Sequence, residues 1–212
     1  MKTLYSLTFI ALLLSIASCK KIENQYPSKT VKVSAPTITL KGDPVVILHT
    51  GDSYTDAGAT FYDSLYLDQG DLTTSTTINT AEEGFYIVSF SAKNKYGFES
   101  TASRLVAVTN IADTFDISGD YARTSNGALA TVSRIGRGVF HTDNACGCSY
   151  VDEAYFMIKS DSTIDMPAQY IPQSGGEADF DGETIEYTPT VAYSYTILGS
   201  AYGTAVRTFV KQ

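Results

Sequence analysis

The sequence has no tryptophan, two histidines and three cysteines. Two histidines starve most triad and metalloenzyme designs of their base or ligand, and three cysteines are too few for a zinc-finger array. Six prolines and sixteen glycines in 212 residues exclude a collagen-like or low-complexity chain. Positive charge is scarce as well. Fifteen lysines and arginines face 23 carboxylates, for a net charge of -8 and a pI of about 4.7, which excludes nucleic acid as a partner. The chain lacks a Gly-x-Ser-x-Gly elbow, a phosphate-cradling loop and a dinucleotide fingerprint. What is present is a 43% hydrophobic composition with 15 tyrosines and 10 phenylalanines. That suffices to bury a core, and the length suits one large or two small domains.

The N-terminus reads as an export signal over residues 1–18. Lys2 precedes a largely apolar run from Leu4 to Ile16, closed by Ala17, Ser18 and Cys19. The run is shorter than the ~20 residues of a transmembrane helix, so a signal peptide is expected. Ile16-Ala17-Ser18-Cys19 resembles a bacterial lipobox. That resemblance implies acylation (palmitate-type) of Cys19 and attachment to a membrane through the lipid; an ordinary secretory signal is the alternative. Residues 19–34 carry Lys20, Lys21, Lys29 and Lys32 against Glu23, a basic tether suited to lipid head groups. In Bacteroidota lipoproteins an acidic cluster after the cysteine often marks export to the cell surface. Lys20-Lys21-Ile22-Glu23-Asn24 departs from that pattern, so the outer-membrane face, surface or periplasmic, stays open.

Residues 35–110 read as one small β domain. Thr37–Leu40, Val45–Leu48, Phe85–Ala92 and Arg104–Thr109 carry strand patterns, and Gly42-Asp43-Pro44, Thr50-Gly51-Asp52 and Asn94–Gly97 carry turns. About seven short strands without a helical stripe predict a sandwich. Gly51-Asp52-Ser53-Tyr54-Thr55-Asp56-Ala57-Gly58, followed by Gly84-Phe85-Tyr86-Ile87-Val88 and Asn94-Lys95-Tyr96-Gly97, resembles bacterial immunoglobulin-like surface domains. The resemblance implies a spacer or adhesion-type module.

Thr109–Thr114 is a short junction without a flexible composition, so the two halves are expected to be held rigidly. Residues 114–212 read as an antiparallel β domain, sandwich or barrel-like, ending in a hairpin of Val191–Ile197 and Thr204–Val210. The segment Glu177–Glu183 reads as a solvated loop. Ser118–Arg123, Ile135–Phe140 and Gly182–Tyr187 are similar to the C-terminal domain of Bacteroidota outer-membrane lipoproteins that accompany nutrient-uptake (starch-utilisation-like) systems. That likeness implies outer-membrane transporter components as partners.

Candidate chemistry is thin. Cys146 and Cys148 are expected to form a local disulfide outside the cytoplasm. The alternatives are reduced or intermolecularly bridged thiols, a soft-metal site with His141, or a redox pair. Asp52, Asp56, Asp63, Asp68 and Asp71 invite a calcium reading but lack calcium-loop spacing, and turn chemistry accounts for them. His49 reads as a strand-end residue. No metal and no cofactor is assigned. Tyr193 and Tyr195 share one face by period two, and Tyr202 caps the following hairpin, so these three are the candidate ligand-binding rings; the alternative is half-buried packing on the sheet. The expectation is an all-β, lipid-anchored, non-enzymatic accessory protein of the cell envelope that binds a glycan or peptide nutrient. The alternative is a structural, adhesion or protein-contact module.

Overall fold

The computed structural model describes residues 34–74, 76–149, 152–171, 176–199 and 202–212. The expected signal peptide, Cys19 and nearly all of the expected tether lie outside these residues. Ser34–Gln212 forms one compact unit. The described residues contain fifteen strands and no helix, so the protein is all-β.

The first half holds β1 (Thr37–Leu40), β2 (Val45–Leu48), β3 (Ala59–Asp63), β4 (Asp68–Leu72), β5 (Gly84–Lys93) and β6 (Glu99–Val108). They form two three-stranded sheets, β1-β3-β4 and β2-β6-β5. Between the sheets lie Ala59, Val88, Phe90 and Val106, with Ile38, Leu40, Val46, Leu48 and Leu72 packed around them. This is an immunoglobulin-like sandwich. β2 and β6 run parallel, pairing Val45 with Leu105 and Leu48 with Val108.

Both of these paired strands are uninterrupted apolar runs, Val45-Val46-Ile47-Leu48 and Leu105-Val106-Ala107-Val108. Continuous runs mark strands covered on both faces, and the packing bears this out. Val46, Leu48 and Val106 point into the sandwich, whereas Val45, Ile47 and Ala107 join Phe85 in a second cluster against Val139 and Met157 of the other half. One sheet is thus a wall shared by two cores. Toward its N-terminus, β6 changes to Glu99-Ser100-Thr101-Ala102-Ser103, and there the outer face is polar.

The second half holds β7 (Gly119–Arg123), β8 (Leu129–Gly136), β9 (Val139–Thr142), β10 (Ala154–Ser160), β11 (Thr163–Asp165), β12 (Gln169–Ile171), β13 (Gly176–Glu186), β14 (Ala192–Leu198) and β15 (Arg207–Lys211). They form one antiparallel nine-stranded sheet in the order β11-β10-β9-β8-β7-β15-β14-β13-β12. The sheet curls into a half-barrel. Its ends approach where the Ile185 amide donates to the Ser162 carbonyl at 3.0 Å. The concave face holds an aromatic core that includes Tyr121, Phe140, Phe156, Phe180, Tyr193, Tyr195 and Phe209. Val191–Ile197 and the end of the chain do pair as the hairpin expected, through β14 and β15.

The Glu177–Glu183 segment is not a loop. It lies in β13, where Ala178 and Phe180 turn inward between exposed acidic residues. The carboxylates mask an alternation of period two whose few apolar members carry the strand.

Candidate functional site

Tyr193 and Tyr195 were the expected ligand rings, and the structure corrects that expectation. They do share a face, but it is the inner one, and both are 0% exposed. The Tyr193 ring stacks on Phe209 at 5.2 Å and lies 5.4 Å from Phe156, and the Tyr195 hydroxyl donates to the Ala145 carbonyl at 2.6 Å. Burial raises both phenol pKa values. These tyrosines are core pillars with no surface for a ligand. Tyr202 is half-buried, and its hydroxyl donates to the Asp152 carboxylate at 3.1 Å.

The Tyr-x-Asp-x-Gly segment of the first half has a structural job. Arg104 of β6 is 1% exposed and its guanidinium pairs with Asp56. Its Nε donates to the Asp43 carbonyl at 2.9 Å, and its Nη2 donates to the Lys41 carbonyl. Asp56 also accepts from the Tyr54 hydroxyl at 2.5 Å and from the Gly58 amide at 2.6 Å. Burial alone would raise the Asp56 carboxyl; hydrogen bonds from Arg104, Tyr54 and Gly58 outweigh it and hold the carboxyl below its ordinary range. Tyr54, desolvated and bound to that carboxylate, is pushed up to about 12. Gly58 sits at φ +80, and a Cβ there would meet the Leu72 carbonyl oxygen at 2.8 Å. The segment is therefore a clasp closing the sandwich.

The aspartates considered for calcium do not converge. Asp52 accepts from the His49 amide at 2.8 Å, Asp63 from the Leu65 amide at 2.8 Å, and Asp71 pairs with Lys41 at 2.9 Å. His49 follows β2, and Arg137 of the β8–β9 turn contacts its Nε2. His141 leans on the Tyr155 ring at 5.0 Å and faces Glu153 at 3.6 Å. The His141 ring is absent from the group of candidate metal ligands that includes both cysteines. Cys146 and Cys148 are joined as a disulfide.

The residues gathered at the junction of the two halves were not expected from the sequence. A cleft of about 880 Å³ opens beside the shared wall. Ser89, Thr101, Ser103 and Leu105 of β5 and β6 form one side, with Pro44; Glu153, Tyr155, Ala168, Gln169, Tyr170 and Glu177 form the other. The cleft exists because β6 changes from apolar to hydroxylated halfway along. The apolar half is glued to Val139 and Met157, and the polar half stands away from β10 and β12. Gln169 fixes the far wall by accepting from the Tyr155 amide at 2.7 Å and donating to its carbonyl at 2.9 Å, as a neighbouring strand would. Tyr170 is 63% exposed, and the Tyr155 phenol is raised by burial and by Glu153. A half-open cavity of this size, with one exposed ring, a row of hydroxyls and two carboxylates, has the dimensions and mixed chemistry of a small-ligand site.

Residues 38–108 match the family of bacterial surface protein Ig-like domains, the segment that forms the sandwich. A crystal structure of a lipoprotein from Bacteroides thetaiotaomicron is similar over 84% of this chain and 100% of that chain, at 19% identity and a TM-score of 0.40. No curated protein matches the chain by sequence. The segment that forms the sandwich is accordingly similar to the Ig-like domains of bacterial surface proteins.

Proposed function

We propose that this is a lipid-anchored accessory protein of the cell envelope that binds a saccharide, without turnover, in the cleft between its two halves. The observation that carries the reading is Tyr170, an exposed ring on a wall that faces a row of serine and threonine hydroxyls across about 880 Å³. Sugar rings offer C–H faces to an aromatic ring and hydroxyls to carboxylates such as Glu153 and Glu177, which accept two or more hydrogen bonds each. The Ig-like match supports a surface setting, and the lipobox-like end at Cys19 supports the anchor. Delivery to an outer-membrane uptake system, with transporter components as neighbours, is the role that fits a non-catalytic binder so placed.

The test is calorimetry on the chain with Cys19→Ser, against a panel of neutral oligosaccharides and short peptides. A saccharide should bind, and Tyr170→Ala should weaken it roughly tenfold while leaving the thermal midpoint unchanged. Failure of every saccharide, or binding indifferent to Tyr170→Ala, overturns the reading. A peptide hit reassigns the ligand, and release of shortened sugar makes the cleft catalytic.

A second reading, a protein-contact module, draws on the far tip of the sandwich. There Leu67, Tyr96 and Phe98 are exposed, and Lys95 sits 3.6 Å above the Tyr66 ring. Leu67→Ser with Tyr96→Ser would abolish co-purification with membrane partners if that tip is the working surface.

A further inference from the structure

The turn that carries Cys146 and Cys148 packs beside β7 and β15, and side chains from around it bond to its backbone. Arg207 Nε donates to the Cys146 carbonyl at 3.2 Å, Arg123 donates to the Cys146 and Gly147 carbonyls at 3.2 Å each, and Asn126 donates to the Gly147 carbonyl at 2.9 Å. Asn144 accepts from the Cys148 amide at 3.3 Å and donates to its carbonyl at 3.2 Å. Gly147 is held at φ +57, with Arg123 and Phe209 where a Cβ would go. The turn is therefore fixed by its main chain, independently of the sulfur–sulfur bond.

The sulfurs face Asp152. One sulfur from each cysteine and one carboxylate oxygen of Asp152 lie within 4.8 Å of one another. Asp152 is 2% exposed, its Oδ2 accepts from Tyr202, and its Oδ1 is buried without a hydrogen-bond partner. A buried carboxylate oxygen without a partner is destabilising unless something completes it. The two sulfurs and one oxygen of a tetrahedral zinc site stand ~3.6–3.8 Å apart, given Zn–S and Zn–O bonds of about 2.3 and 2.1 Å. Small side-chain movements bring these three groups to that spacing.

We propose that the Cys146–Cys148 disulfide masks a soft-metal site, and that its reduction creates one, with both thiolates and the Asp152 carboxylate binding a single zinc ion. The reduction breaks the S–S bond with two electrons from a thiol or dithiol reductant, which is itself oxidised to a disulfide, and each sulfur takes one proton. Metal binding then releases both thiol protons to solvent as two S–Zn bonds form, and water fills the fourth position. Two thiolates select zinc over calcium or magnesium. The neighbouring Arg123 and Arg207 charges offset the surplus negative charge of two thiolates and a carboxylate on one divalent ion.

The experiment uses the chain with Cys19→Ser, which leaves Cys146 and Cys148 as the only thiols. Oxidised protein should bind no zinc by calorimetry. After reduction and removal of the reductant, two thiols should titrate, and one cobalt(II) per chain should give the thiolate charge-transfer band and the visible spectrum of a tetrahedral site, displaced by zinc. Asp152→Asn should keep both thiols and weaken zinc at least tenfold. Asp152→Glu, which restores the charge, serves as the second variant where Asn lowers the thermal midpoint, and should retain cobalt's charge-transfer band. Reduced protein without that band, equal zinc binding before and after reduction, or affinity unmoved by Asp152→Asn in a folded protein would each overturn the proposal.

Discussion

Each half of the molecule buries one large arginine, and the two are solved differently. Arg104 in the sandwich meets a carboxylate, two well-placed carbonyls and a tyrosine-buttressed clasp. Burial disfavours its charge, yet the bond to Asp56 outweighs burial and its pKa rises. Arg207 in the half-barrel donates to the carbonyls of Cys146, Ala205 and Tyr202. No ion pair joins it to a carboxylate among the described residues, and burial together with Arg123 lowers its pKa. In the first half the arginine neutralises a charge that the chain has deliberately buried. In the second it is a five-pronged donor that ties three separate carbonyls to one point, and its charge is a cost of that service.

The comparison is broken most severely by Arg104→Met. It leaves Asp56 buried without its cation and should destabilise the protein by about 3–5 kcal/mol, read by urea unfolding. Gly147→Ala attacks the Arg207 side. It forces a Cβ into Phe209 and Arg123 at positive φ, and about 2–4 kcal/mol should be lost. Arg207→Met strands carbonyls but no buried carboxylate partner, so its cost should be smaller than that of Arg104→Met, about 1–3 kcal/mol. If Arg207→Met proves the more damaging, the two arginines do not differ in this way. Replacing both Cys146 and Cys148 by alanine opens a very short loop and should cost only about 1–2 kcal/mol, because the turn is held by its backbone.

pH sharpens the same contrast. The Asp56 carboxyl is depressed in the folded state. Its contribution is therefore fully present above the unfolded carboxyl value of ~3.9 and is lost as pH falls through the lower folded value. Stability measured across the acid range should fall less steeply for Arg104→Met than for the parent chain. Equal slopes would mean that the clasp is not what acid opens.

Much of the fold can be read along the chain, because β1, β2, β5, β6, β10, β14 and their turns are local patterns. The clasp was visible as Tyr54-x-Asp56-x-Gly58, but its partner Arg104 lies 48 residues away from Asp56, and spacing alone names no partner. Tyr193 and Tyr195 show where period-two reasoning stops. It places them on one face without saying which face is inside. Ile197 shares their parity while Ala192, Ser194 and Thr196 take the other, and that contrast in size and polarity was the available signal. Only one wall of the cleft had a local signal. The change in β6 from apolar to hydroxylated residues is readable, but the facing wall comes from β10 and β12, more than forty residues downstream.

The shared wall also limits how this protein can be taken apart and reused. The sandwich looks like a portable module, but cutting the chain after residue 110 would strip Val45, Ile47, Phe85 and Ala107 of their cover. The excised piece would carry an apolar stripe along paired β2 and β6, an invitation to edge and face association. A gene fusion that borrows this half for another architecture must therefore repaint that stripe with polar residues or bring along a replacement for Val139 and Met157.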